Sequence, residues 1–304
     1  GKIEFDTTEL GDFIIARSMD EPVFHLVVVV DDFEMGITHI IRGEDHISNT
    51  PRHILIQEAL GIPTPQYAHL PLLLAPDRTK MSKRKGALPI TEYRDRGYLP
   101  QALINYMAFL GWNPGTEQEI MSFDELIEKF SLNKVQKAGA IFNEEKLNWV
   151  NEQYIKKMSI DEFVKSAKGF LPENINLKLL PLIKEKTTKF SDIPEILKTE
   201  LSFMDSVQEY KPEALKWKSE KDLINTKIYL EKIVELISSI NEFTKEKIKE
   251  VLWPYAEEKG RGNVLWPMRY ALSGKEKSPD PFTMSEILGK NETIKRLTNA
   301  IQNI

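Results

Sequence analysis

An α/β region followed by a mainly α-helical remainder is the fold class that this 304-residue sequence predicts. Three observations carry it. Residues 1–75 hold short, β-rich apolar runs, punctuated by turns and by one helix with clear start and stop signals. From Asn143 onward almost every segment has helical spacing, and strand signals nearly vanish. Between the two lies a loop crowded with cations. The length suggests about two domains, or three small ones, each with enough chain to bury a core.

The elements follow in order. Phe24 to Val30 (FHLVVVV) shows no polar alternation, which predicts a strand buried on both faces, as in a parallel sheet. Asp31-Asp32 breaks it and Met35-Gly36 supplies a turn. Ile37 to Ile41 predicts a second short strand, followed by the charged loop Arg42-Gly43-Glu44-Asp45-His46. A helix comes next, with Thr50 as N-cap, Pro51 at its first position and Gly61 past its end. Its apolar stripe is Ile54, Leu55 and Ala59. Gln66 to Ala75 is a further strand-like run leading into the cationic loop.

Beyond that loop, Leu99 to Leu110 predicts an apolar helix that starts near Pro100 and stops before Gly111-Trp112-Asn113-Pro114-Gly115. Ser122 and Glu125 form a capping box that opens a short helix to about Phe130. Ser159 with Glu162 forms another, and Ser219 with Asp222 approximates one. Leu223 to Ile240 places Ile228, Val234 and Ile237 at helical spacing, with Lys and Glu opposite. The seam between α/β and helical texture falls near Val150 to Lys157.

Composition narrows the function classes. A hydrophobic fraction of 41% with mixed charges fits an ordinary globular protein. No apolar run approaches the roughly 18 residues of a membrane-spanning helix. The first residues lack the apolar core of a signal peptide, and zero cysteines leave no disulfide or thiolate metal site, so a cytoplasmic protein is expected. The five histidines, at 25, 39, 46, 53 and 69, are scattered without ligand spacing, and no tightly held metal is expected. Net charge is −5, which argues against a globally basic nucleic-acid binder. Locally the balance reverses: residues 78–96 carry seven Lys/Arg against Glu92 and Asp95. A polyanion would meet a patch.

The cationic loop, Ala75 to Gly86, has five Lys/Arg among twelve residues, with Met81 as an apolar anchor. Ammonium groups on such a loop suit nucleotidyl transfer, in which negative charge builds on departing pyrophosphate. A solvated basic cluster is the plainer alternative. Arg42 follows the carboxyl end of a predicted strand, where open α/β sheets place ligands. Its guanidinium can clamp a carboxylate through two parallel hydrogen bonds; pairing with Glu44 or Asp45 is the competing reading. In the helical half, Trp253, Trp266, Lys259, Arg261 and Arg269 could stack on and pair with unstacked bases, with core packing as the alternative for each Trp.

Lys80-Met81-Ser82-Lys83-Arg84 resembles the lysine signature loop of class I aminoacyl-tRNA synthetases. Val28 to Arg52, and His69 through the loop to Trp112, resemble glutamyl-tRNA synthetases almost residue for residue. The likeness continues through Val135–Trp149 and reaches Val264–Gly274, weakening between Lys156 and Lys249.

The resemblance implies a partial Rossmann-type nucleotide-binding half in residues 1–75. It further implies the lysine loop and a mainly helical stem-contact region in 76–152, and a helical anticodon-binding region in 153–304, with a subdomain seam near 210. It implies ATP as substrate with Mg²⁺, L-glutamate, and tRNA(Glu) or also tRNA(Gln) as partners of a monomer. Lys80, Ser82 and Lys83 would be catalytic, and Lys80, Met81, Ser82, Lys83 and Arg84 would bind ATP. Arg42 and Phe24 would line the glutamate site, Phe24 standing where many relatives have tyrosine. Lys85 is expected to be a solvated charge, and Lys186 is a further candidate for anticodon contact.

The family's second signature, His-Ile-Gly-His, is absent from the sequence. The expectation is therefore a C-terminal portion of a glutamate–tRNA ligase that forms no adenylate alone. A non-catalytic tRNA-binding module is the alternative. A tRNA-modifying paralogue fits less well, because such paralogues lack the helical half.

Overall fold

The computed structural model describes residues 3–82, 84, 88–204, 211–218, 220 and 222–304. Lys83, Lys85 and Ser219 lie outside the described residues, as does the expected seam near 210. The chain divides into two units, residues 1–154 and 155–304.

In the first unit a short antiparallel pair, β1 (Ala16–Ser18) and β2 (Glu21–Pro22), precedes α1 (Phe24–Glu34). The run Phe24–Val30 is thus helical, against the expected strand. A short apolar run fits either element, and here the chain stays helical through Asp31-Asp32 to Glu34. On a helix, residues 25 and 29 share one face: His25 meets His53, and Val29 is buried at 1% exposure. Packing against the following helix overrides the β-branched preference.

β3 (His39–Gly43) leads through a 3-10 turn, Glu44–Asn49, straight into α2 (Thr50–Leu60). Gly61 ends α2 in the left-handed region at φ 66°. β4 (Gln66–Leu70) returns parallel to β3, register His39↔Gln66 to Gly43↔Leu70, completing a β-α-β unit. Thr50 is the first residue of α2, not a capping side chain. Because the turn runs unbroken into the helix, its hydroxyl is left for other partners. The run Gln66–Ala75 is two strands, broken at Pro71, which has no N–H for a ladder: β4 and β5 (Leu73–Leu74).

The remainder of this unit is α3 (Ile90–Asp95), α4 (Pro100–Phe109), α5 (Phe123–Lys129), β6 (Ala140–Ile141) and α6 (Glu144–Lys157). β6 lies parallel to β5, with Leu73↔Ala140 and Leu74↔Ile141. Trp112, Met121 and Leu126 make a buried cluster beneath α4 and α5. The Ser122 capping box forms: Ser122 Oγ accepts from the Glu125 N–H at 3.2 Å, and Glu125 Oε2 accepts from the Ser122 N–H at 2.7 Å. Donation from the Ser122 N–H first, then from the Gln118 amide and the Ser122 hydroxyl, pulls the Glu125 carboxyl down to about 2.

The described residues of the second unit hold no strand, and their α-helices are α7 (Ile160–Ser166), α8 (Leu180–Lys186), α9 (Ile193–Thr199), α10 (Ile224–Ser238), α11 (Lys245–Lys259), α12 (Arg261–Ser273), α13 (Pro281–Leu288) and α14 (Lys290–Gln302). Leu230, Ile233, Ile237, Ile248, Leu252, Val264, Met268 and Leu297 are fully buried where α10, α11, α12 and α14 meet. Arg296 is buried with them because its Nη1 donates to the carbonyls of Phe203 (2.6 Å) and Leu272 (2.8 Å), and Glu292 neutralises it.

Candidate functional site

Arg42 is the penultimate residue of β3, and its side chain bonds to the first residue of α2. Its Nη2 donates to Thr50 Oγ1 at 2.8 Å and to the His46 carbonyl at 3.4 Å. Its Nη1 lies 3.3 Å from His53 Nδ1, and its Nε donates to His69 Nε2 at 3.4 Å. The guanidinium also lies over the Tyr67 ring, 5.3 Å from its centroid. Every one of these partners is uncharged or an aromatic face.

Pairing with the neighbouring acids does not occur. Glu44 Oε1 accepts from the Leu72 N–H at 3.1 Å, and Asp45 Oδ2 accepts from Lys80 Nζ at 2.7 Å. Among the described residues no carboxylate forms an ion pair with Arg42. A part-buried guanidinium is thus oriented by neutral acceptors, and the Asp32 carboxylate acts on its charge without forming an ion pair with it. Burial lowers its pKa, yet arginine stays protonated.

Four of the five scattered histidines converge here, which linear spacing did not reveal. His25 and His53 are 3.0 Å apart through Nδ1 and Nε2, and His46 and His69 touch Arg42 or its partners. Burial first, then the Arg42 charge, pushes His53 down to about 4 and His69 below its ordinary value. His39 stands apart on Thr38. Phe24 covers the group, with ring centroids 5.9 Å from His53 and 6.3 Å from His46, and is 53% exposed. It reaches this site from α1 rather than from the expected strand.

The stem of the cationic loop is a tight hairpin. The Met81 N–H donates to Leu73 O at 2.9 Å, the Ala75 N–H to Thr79 O at 2.9 Å and the Arg78 N–H to Ala75 O at 2.8 Å. Asp77 Oδ1 accepts from the Thr79 N–H and hydroxyl, and Arg78 sits at φ 62°. Met81 is half-buried, whereas Ser82 and Arg84 are exposed. Two ties fasten this stem to the Arg42 segment: Lys80 to Asp45, and Glu44 to the Leu72 N–H. The structure therefore brings Arg42, Phe24 and Lys80 into one neighbourhood.

The helical candidates are mostly engaged. Trp266 Nε1 donates to Ala214 O at 3.0 Å, and its ring packs on Trp217 and Tyr270. Arg269 is tied to Ser278, Lys259 to Glu258 and Lys186 to Glu200. Trp253 differs: Lys249 Nζ and Arg261 Cζ lie 4.9 and 4.6 Å from its ring centroid.

Comparison with known proteins adds a separate observation. Residues 1–149 match the family model for the catalytic domain of class I tRNA synthetases (E and Q), and residues 126–301 match an anticodon-binding domain. The chain is 40% identical to a glutamate–tRNA ligase of Carboxydothermus hydrogenoformans, over 98% of this chain and 64% of the relative. It is also 40% identical to one of Thermodesulfovibrio yellowstonii, over 99% and 66%. A glutamate tRNA ligase of Elizabethkingia meningosepticum, solved in complex with its amino acid, superposes with a TM-score of 0.81 at 36% identity, covering 99% of this chain and 64% of that one. The chain thus spans just under two thirds of the relatives it matches. With the parallel strand pairs, the helical second unit and the two domain models together spanning residues 1–301, the chain belongs to the class I tRNA synthetases (E and Q), a catalytic domain followed by an anticodon-binding domain.

Proposed function

We propose that the protein is a glutamate–tRNA ligase, activating L-glutamate with ATP and transferring it to the terminal adenosine of tRNA(Glu). One observation carries this reading. An arginine without a carboxylate partner is tied, through Asp45 and Glu44, to the stem of a lysine-rich loop. A carboxylate acceptor and a phosphate-binding loop belong together in adenylate formation. Arg42 would take the side-chain carboxylate, beneath the Phe24 ring. Lys80, Ser82, Lys83 and Arg84 would meet the triphosphate, and Met81 would seat the loop, its N–H held by Leu73.

Mg²⁺ would arrive with the triphosphate. At the loop stem the carboxylates are already engaged, Asp45 by Lys80 and Asp77 by Thr79. The donor set therefore fits a substrate-borne ion better than a resident one. Among the described residues no helix is long and apolar enough to cross a membrane. We assign residues 1–75 to the nucleotide-binding half, 76–152 to the lysine loop and stem-contact region, and 153–304 to anticodon binding. A monomer working in the cytoplasm completes the reading.

Binding of tRNA tests the polyanion part. The chain should retard tRNA(Glu) in a native gel, with affinity falling steeply as salt rises. Absence of retardation at low salt would remove tRNA from the proposal.

A further inference from the structure

We propose that Thr50 and His53, one turn apart on α2, are positioning residues that hold the Arg42 guanidinium as uncharged acceptors and so set its affinity for the amino-acid carboxylate. The proposal rests on the reading of Arg42 as the carboxylate clamp. It adds the residues that aim the clamp.

Hydrogen-bond bookkeeping supports it. All five N–H bonds of a guanidinium point outward in a plane, so an arginine reaching for a ligand must be fixed by acceptors on its other edges. Thr50 Oγ1, at 2.8 Å, is the nearest of them. The same hydroxyl lies 3.1 Å from the His46 carbonyl and 3.2 Å from His69 Nε2, so it links Arg42 to both. His53 presents its Nδ1 to Arg42 Nη1 at 3.3 Å. Arginine only donates, so this Nδ1 carries a lone pair and the ring proton sits on Nε2. That N–H then donates to His25 Nδ1 at 3.0 Å, so His25 fixes the tautomer that Arg42 needs. His53 is 1% exposed, and water is no substitute acceptor.

The electrostatics agree. Arg42 on β3, His25 on α1, His46 on the intervening turn and Arg52 on α2 itself all face His53, and each disfavours its protonation; burial does so most. Phe24 covers the ring from α1. No carboxylate is among the groups acting on it. Protonation would remove the acceptor and place a second cation beside the clamp. His53 is therefore held neutral down to about pH 4.

The test is nuclear magnetic resonance on the ¹⁵N-labelled 304-residue chain, with and without L-glutamate. In ligand-free protein at pH 7, long-range imidazole spectra should show His53 protonated on Nε2 alone. The Arg42 Nη–H signals should be protected from exchange. Thr50→Val and His53→Leu should each lose that protection, and weaken L-glutamate binding about tenfold, the scale of one hydrogen bond to a charged group. Thr50→Ser and His53→Asn return an acceptor oxygen at the same place and should restore both readouts. If Arg42→Ala abolishes binding while Thr50→Val and His53→Leu leave it within twofold, the positioning proposal is wrong and the clamp stands. If Arg42→Ala changes nothing, the clamp reading fails and takes the proposal with it. Should glutamate affinity be too weak to measure, the ligand-free signals decide: a doubly protonated His53 at pH 6, or an Arg42 signal indifferent to both variants, overturns it.

Discussion

Among residues 3–75 the buried apolar side chains are Val29, Ile56 and Ala75, with Pro51, while Phe24, Phe33, Met35, Ile37, Ile41 and Leu73 remain exposed. Among the described residues of 155–304 the ratio reverses: Phe163, Ile183, Ile193, Leu215, Leu230 and Ile233 are all below 2% exposed, and four large hydrophobics, Val164, Leu177, Ile224 and Ile228, stand out in solvent. The helical unit is held by apolar packing. The α/β segment is held by backbone pairing and by a polar network centred on one arginine. Apolar substitutions should therefore cost most in the helical unit and polar ones around Arg42.

Apolar truncations should cost far more in the helical unit than in the α/β segment. Leu230→Ala should destabilise the helical unit by about 2–5 kcal/mol, because a fully buried leucine leaves a cavity. Ile41→Ala, half exposed on β3, should change stability by no more than about 0.5 kcal/mol. Denaturant unfolding of the two variants checks both, and equal losses would contradict the division.

Overpacking sharpens the same point. A Cβ added at Gly262 would stand 2.3 Å from Trp217 Nε1, on an indole already packed on Trp266. Gly262→Ala should cost about 1–3 kcal/mol and shift the melting temperature of the helical unit. An unchanged melt would mean that Trp217 moves aside freely.

Smaller effects come from helix ends. Ser122→Ala removes a capping hydroxyl and should cost about 1 kcal/mol in thermal unfolding. Its partner Glu125 has a folded pKa lowered to about 2, from an ordinary value of 4.5. A depressed carboxyl stabilises fully above its unfolded pKa and loses that contribution as pH falls from about 4.5 towards 2. Wild type should therefore destabilise through that window more than Glu125→Gln. A parallel acid profile for the two would remove the capping carboxylate as cause.

Local chemistry made part of this legible in sequence. Gly61, Pro51 and the Ser122 and Ser159 boxes are punctuation that acts within four residues, and the helices they bound appear where expected. Phe24–Val30 reads as a strand in sequence because a short run of six apolar residues and one histidine satisfies a strand and a helix equally, and only contact with α2 decides. Thr50 was legible as a helix start but not as a partner of Arg42. The histidine cluster was invisible for the same reason: α1, β3, α2 and β4 are joined in space, not in spacing. Paired acids at 44 and 45 after an arginine are the one signal that could have hinted at it, once each acid is seen to have another partner.

Equilibrium binding of L-glutamate against L-glutamine, in wild type and Arg42→Ala, reads out whether Arg42 holds the side-chain carboxylate. A guanidinium clamp predicts that wild type prefers glutamate at least tenfold, since the amide is neutral and presents an NH₂ donor in place of the second acceptor oxygen, and that Arg42→Ala erases the preference. Equal affinity for the two amino acids in wild type, or a preference that survives in Arg42→Ala, would contradict it.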